Sequence, residues 1–221
     1  ASLIVMPTLL SDPESVEGSI KQLEVHYLSN RDDNFYFAIA GDFIDGDEEH
    51  LEGDQEILNI AKRAIDHLNK KYERKPFLFF HRHRTKSEAQ NRWMGWERKR
   101  GALIELNNLL RGEEDTSYSF IVGDLDKIPK IKYIITLDRD TSLPIGEGKK
   151  LVGAIAHILH EPIINTEKNV VVEGYGLIQP RISLDIESVN KTYFSRIFAG
   201  QGGIDPYTMA ISDVYQDLFG E

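Results

Sequence analysis

The sequence contains no cysteine, which excludes a disulfide framework and any zinc–thiolate site and leaves the redox compartment open. It also lacks a secretory leader and any run of about 18 apolar residues, so this stretch is not expected to cross a membrane itself. Excess basic charge is missing too. The formal net charge is -10, which argues against a broad nucleic-acid surface, because phosphate binding relies on many Lys and Arg contacts that release counterions. Local basic clusters remain allowed. No internal repeat or low-complexity segment interrupts the chain. What remains is an ordinary globular composition, 221 residues with 41% hydrophobic content, enough for one substantial core and read as one domain over residues 1–221. The chain opens on a strand-like segment and stops at Phe219-Gly220-Glu221. It is therefore read as a piece of something larger, truncated at its C-terminus.

The most informative stretch is Tyr133 to Pro144, YIITLDRDTSLP. A short apolar run rich in β-branched and aromatic residues, closed by turn formers, reads as a buried strand of an α/β sheet. Asp138 and Asp140 then sit at its carboxyl end, where open α/β sheets place their ligands. Two carboxylates one residue apart at such a point suit a hard divalent cation that carries phosphate. Two chemistries share this pattern. One is a nucleotide-sugar transferase of the GT-A kind, with the acids on the metal of the leaving diphosphate. The other is a haloacid-dehalogenase-like phosphatase, whose strand-DxDxT matches Asp138-Arg139-Asp140-Thr141. A plain strand-ending turn gives the same letters.

The remaining pattern supports an α/β reading. Ser2 to Met6 is expected as a buried strand that ends at Pro7-Thr8, and Asp12-Pro13 caps a helix through Leu28. Asn34 to Ala40 is the next strand, closing on Gly41-Asp42, and strand–helix–strand in that order favours a parallel sheet. Gly46 to Asp54 reads as a solvated loop and Gln55 to Tyr72 as an amphipathic helix. Phe77 to Phe80 is a third strand, Trp93 to Gly101 a loop or helix start, and Ala102 to Leu110 a helix closed by Gly112. Ser119 to Val122 reads equally as a short strand or as the end of a loop, and a helix from Lys150 to His160 and a strand at Val170 to Val172 complete the reading.

Other clusters are candidates of lower information. Asp42 lies at the same sheet edge as Asp138 if the strands are parallel, and suits a nucleoside, although Gly-Asp is also an ordinary turn. Trp93-Met-Gly-Trp-Glu-Arg-Lys-Arg-Gly101 puts three bases at a helix start, which suits a diphosphate, with two tryptophans able to stack on a ring. A solvated basic run with buried tryptophans is the plain alternative. His81 and His83 share a face but have no evident third ligand. Gly202-Gly203-Ile204-Asp205-Pro206-Tyr207 can approach a sugar or simply form a tight loop.

Taken together, His81 to Gly112, Ile135 to Pro144, Leu151 to His157, Gly174 to Arg181 and Gly202 to Glu221 resemble the glycosyltransferase domain of cyclic β-1,2-glucan synthases. The resemblance runs in order over nearly the whole chain, and WMGWERKRG and GGIDPY are its most unusual pieces. It implies a GT-A-like, Rossmann-like fold with a mostly parallel sheet flanked by helices, UDP-glucose as donor, a divalent metal (Mn2+ or Mg2+), and inverting transfer to a growing β-glucan acceptor. It also implies a large inner-membrane parent protein with this domain on the cytoplasmic face. Residues about 1–145 would bind the nucleotide sugar, and about 146–221 would face the acceptor. Carried over residue by residue, Asp138 and Asp140 resemble the metal and diphosphate pair, Asp42 the nucleoside-binding acid, and Lys99, Arg100 and Gly101 the basic segment. Gln179, Arg181, Gly203 and Asp205 fall on the acceptor side. The usual catalytic carboxylate of related transferases is expected downstream of Glu221, which leaves Asp213 and Asp217 as the base candidates within the chain. A noncatalytic glucan-binding module is the third reading.

Overall fold

The computed structural model describes residues 1–180. Its packing divides the chain into two units, Ala1–Ala154 and Ile155–Glu221. The first is built on a five-stranded sheet of β1 (Ser2–Leu10), β2 (Phe35–Phe43), β3 (Phe77–Arg82), β6 (Tyr118–Val122) and β7 (Tyr133–Thr136). Between β3 and β6 a two-stranded ribbon pairs β4 (Thr85–Ser87) with β5 (Arg92–Met94). The helices are α1 (Pro13–Ser29), α2 (Asp54–Lys71), α3 (Arg98–Leu110) and α4 (Glu147–Ile155). The sheet order is β6-β3-β2-β1-β7, parallel throughout except for β6. The protein is thus α/β, with a mostly parallel central sheet and helices on its faces.

Side chains of the central strands alternate between two apolar layers, as a strand period of two requires. Ile4, Met6, Phe37, Ile39, Phe77 and Phe79 pack under α1 and α2, with Val16, Ile20, Leu23, Ala61 and Ile65. Leu3, Val5, Ala38, Ala40, Leu78 and Phe80 face the other way, onto Leu106 of α3. Helix α1 starts where its sequence says it should: Asp12 accepts from the Ser15 amide at 2.8 Å, and the Ser15 hydroxyl completes a reciprocal cap, with Pro13 in the first turn.

Several elements differ from expectation, among them β2, which runs through Asp42 to Phe43. β1 runs past Pro7 to Leu10. Its pairing with β7 has ended at Val5, so a residue without an N–H costs that ladder nothing, and pairing with β2 continues to Leu10 opposite Phe43. The aspartate-bearing strand is a half-buried sheet-edge strand of four residues rather than a fully buried one. The ribbon of β4 and β5 occupies part of the expected loop. The last helix stops at Ile155, and a single tight turn follows at Ile158–His160. In the second unit, β8 (Ile163–Asn165) and β9 (Val170–Glu173) form a hairpin, its turn fixed by Asn165, whose side chain accepts from the amides of Glu167 and Lys168.

Candidate functional site at the carboxyl edge of the sheet

Because β3, β2, β1 and β7 are parallel, Arg82, Asp42, the Pro7–Leu10 stretch and Asp138 all emerge at one edge. A cavity of about 200 Å³ opens there, lined by Thr8, Leu9, Asp42, Asp45, Arg98 and Lys99, with Gly95 and Pro7 behind them. It lies where the early end of β7 leaves β1 without a neighbour. The sheet places Asp42 and Asp138 at the same edge, as the parallel reading anticipated.

Asp42 does not sit in a turn. It is a strand residue only 9% exposed, and a buried carboxylate demands a partner. Arg82 supplies one with a two-pronged fork, Nε to Oδ1 at 2.8 Å and Nη2 to Oδ2 at 2.6 Å. Its remaining N–H groups reach the carbonyl oxygens of Trp96 and Arg98, each at 2.9 Å, and Glu105 Oε2 at 2.8 Å. All five donors of the guanidinium are used. Glu105 in turn accepts from the Ser117 amide and hydroxyl. Burial pushes the Asp42 carboxyl upward, and the Arg82 fork pulls against it. Burial also acts upward on Glu105, but the hydrogen bonds from Arg82 and Ser117 bring it below the usual carboxylate range. Arg82 sits at an irregularity in the β3–β6 register, a feature that re-aims side chains at sheet ends.

The basic segment arrives over this edge through a left-handed turn. Glu97 and Arg98 both have φ near +50° (50° and 49°), a conformation that costs non-glycine residues energy unless the surroundings hold it. Arg98 reaches Asp45 at 2.6 Å, and Lys99 is ion-paired with Asp138. Lys99 therefore links the cavity to Asp138. This pair is more than half exposed at both ends, so a competing anion displaces it at small cost. The positive end of α3 points the same way. Arg100 is exposed, and Gly101 is buried beneath Trp96, where a Cβ would stand 1.9 Å from the Trp96 carbonyl oxygen. Trp93 is half-buried beside Gly46, and Trp96 is half-exposed, so the tryptophans are not both core residues.

Asp138 and Asp140 are both exposed. Among the described residues no group of three His, Asp or Glu side chains is placed to hold a metal. Two hard oxygen donors fit a cation such as Mg2+ that completes its shell with water and phosphate rather than with a protein cage. His81 is buried beside Phe43, with ring centroids 4.0 Å apart, and its Nε2 has no hydrogen-bond partner. Gln179 is exposed in the second unit. Arg181, Gly203, Asp205, Asp213 and Asp217 lie outside the described residues.

Sequence reasoning passed over Arg82, Glu105 and Gly95. A Cβ at position 95 would stand 2.7 Å from Asp42 Oδ2 and 2.8 Å from Arg82 Nη2. The glycine between two tryptophans was the available signal for a close approach.

No model of a known protein family matches the chain. Over 225 aligned residues, which take in all of this chain, it is 42% identical to the cyclic beta-(1,2)-glucan synthase NdvB of Rhizobium meliloti (strain 1021). The chain spans 8% of that protein's length. With that identity sustained along its whole length, the chain belongs to the cyclic beta-(1,2)-glucan synthase family.

Proposed function

We propose that this chain forms the donor side of a GT-A-like glycosyltransferase, taking glucose from UDP-glucose onto a growing β-1,2-glucan with inversion at the anomeric carbon. The activity that names the Rhizobium relative, a cyclic beta-(1,2)-glucan synthase, supports the reaction class. The observation that carries the proposal is the cavity at the carboxyl edge, with the acid Asp42 on one wall and Lys99 reaching from another to Asp138.

In this reading, the carboxylate of Asp42 keeps acceptor capacity beyond the Arg82 fork and takes hydrogen bonds from the nucleoside. Lys99, Arg98 and the start of α3 meet the diphosphate. Asp138 and Asp140 would hold a divalent cation, Mn2+ or Mg2+, which would supply charge neutralisation to the departing diphosphate. Lys99 moves from Asp138 to the diphosphate as the donor arrives, so the carboxylate is released when it is needed. An acceptor hydroxyl attacks the anomeric carbon from the face opposite UDP, the bond to the diphosphate oxygen breaks, and a carboxylate takes the hydroxyl proton. Asp213 and Asp217 are this chain's candidates for that base, and Gln179, Arg181, Gly203 and Asp205 for acceptor contacts. The rest of a larger membrane protein, with this part on the cytoplasmic face, completes the proposal. Among the described residues no helix is long and apolar enough to cross a membrane.

Calorimetry with UDP and Mn2+ tests the donor site. The expected result is metal-dependent binding by the parent chain that weakens at least tenfold in Asp140→Ala. Binding indifferent to metal, or a variant indistinguishable from the parent, removes the assignment.

A further inference from the structure

The donor cavity is assembled from separate elements, whose local bonds, such as the Arg98 amide to the Gly95 carbonyl at 3.0 Å and Arg98 to Asp45 at 2.6 Å, do not tie the 97–98 turn to Asp42. Asp42 belongs to β2, Arg98 and Lys99 to the first turn of α3, and the turn between them is left-handed at two consecutive non-glycine residues, Glu97 and Arg98. One side chain touches all of these pieces. Arg82, with its side chain 0% exposed, forks onto Asp42, bonds the carbonyls of Trp96 and Arg98 on either side of Glu97, and is braced from behind by Glu105. It does not line the cavity.

We propose that Arg82 is a positioning residue for the nucleoside diphosphate: its saturated guanidinium pins the strained 97–98 turn to the sheet edge and so fixes Lys99 relative to Asp42. This rests on the donor-site reading above. The chemistry needs arginine specifically. A lysine carries the same charge but has three donors on one nitrogen, and it cannot fork onto a carboxylate while holding two carbonyls and a second acid. The absence of a side chain at Gly95 belongs to the same device, because any Cβ there meets both members of the Asp42–Arg82 pair. A nucleoside diphosphate gains from the arrangement because its two ends are held at once. A nucleoside monophosphate, which does not reach as far, gains less.

The test uses Arg82→Lys and Glu105→Gln in the full chain, with UDP and UMP as probes in the presence of Mn2+ and amide hydrogen exchange read over residues 95–101. Arg82→Lys is expected to bind UDP at least tenfold more weakly and UMP no more than about threefold more weakly, with exchange in that segment at least tenfold faster. Glu105→Gln is expected to move each quantity the same way by a smaller factor. An Arg82→Lys protein that retains near-ultraviolet dichroism, binds UDP within twofold of the parent and leaves exchange unchanged overturns the proposal. A uniform loss for UDP and UMP together also overturns it, since a merely destabilised fold does not discriminate between them. If Arg82→Lys does not fold, Glu105→Gln decides on the same readouts. If the parent itself fails to bind UDP, the donor-site reading falls first. The exchange data then decide separately whether Arg82 holds the turn.

Discussion

At the carboxyl end of β3 two adjacent residues are buried under opposite conditions. Arg82 has every donor satisfied. Its neighbour His81 is 1% exposed, packs on Phe43 and Phe79, and has a ring nitrogen without a partner. Burial drives the His81 pKa down to about 3, from 6.5 for a free imidazole. In an unfolded chain that imidazole binds a proton below about pH 6.5, whereas the folded chain refuses it, so stability is lost as pH falls from 6.5 toward 3. His26, also buried with an unpartnered ring nitrogen and lowered by burial, acts in the same sense. The two carboxylates held low by arginines, Asp54 and Glu105, have ordinary values of 3.8 and 4.5 and begin to cost stability only at lower pH. Between pH 7 and 5, His81 alone is therefore expected to cost about 2 kcal/mol at roughly 1.4 kcal/mol per pH unit. Denaturant titrations at pH 7, 6 and 5 check this. In His81→Phe the pH slope is expected to fall by about one proton, and an unchanged slope would show that the ring is protonated in place.

At the opposite end of β3, elements are joined by a side chain that stands in for backbone. Near the end of α2, Asn69 donates to the Phe77 carbonyl at 2.8 Å and accepts from the Phe77 amide at 3.1 Å, so one side chain pairs both polar groups at the start of β3. Asn69→Ala strands two buried backbone groups and is expected to lower stability by about 2–4 kcal/mol. Equilibrium denaturation reads it, and a loss below about 0.5 kcal/mol would mean that water replaces the amide. Pattern recognition in the sequence reached most of these elements, because strands buried on both faces and an amphipathic α2 announce themselves by period. It stopped β1 too early at Pro7, since sequence does not reveal which neighbouring strand has already ended there. It missed the ribbon of β4 and β5 because each strand has only three residues, too few for alternation to register. Within the candidate site, Asp138-x-Asp140 and the run Arg98-Lys99-Arg100 stand out in the sequence because each pattern is local, and the fold brings Lys99 to Asp138. The partner of Asp42 does not stand out, because Arg82 lies 40 residues away along the chain and looks, in sequence, like part of a basic histidine-rich stretch. Parallel strand order alone brings it alongside.

For the whole molecule, charge and apolar exposure are set against each other. The net charge of -10 keeps copies apart at neutral pH. The sequence pI is about 5.2, so mild acid removes that protection. The hairpin of β8 and β9 meanwhile presents Ile163, Ile164, Val170, Val171 and Val172 at exposures of 44–57%, and an exposed apolar two-stranded ribbon is a template for edge pairing. Self-association is therefore expected to rise as pH falls from 7.5 toward 5.2, and to reverse when the pH is returned. Sedimentation velocity across that range checks it. Val171→Lys, which puts a charge on the exposed ribbon, is expected to shift the onset to lower pH and reduce the associated fraction severalfold. Near-ultraviolet dichroism in the same samples separates association of the folded chain from aggregation after the His81-linked loss of stability. If Val171→Lys associates like the parent, the contact lies elsewhere and the exposed ribbon is not its cause.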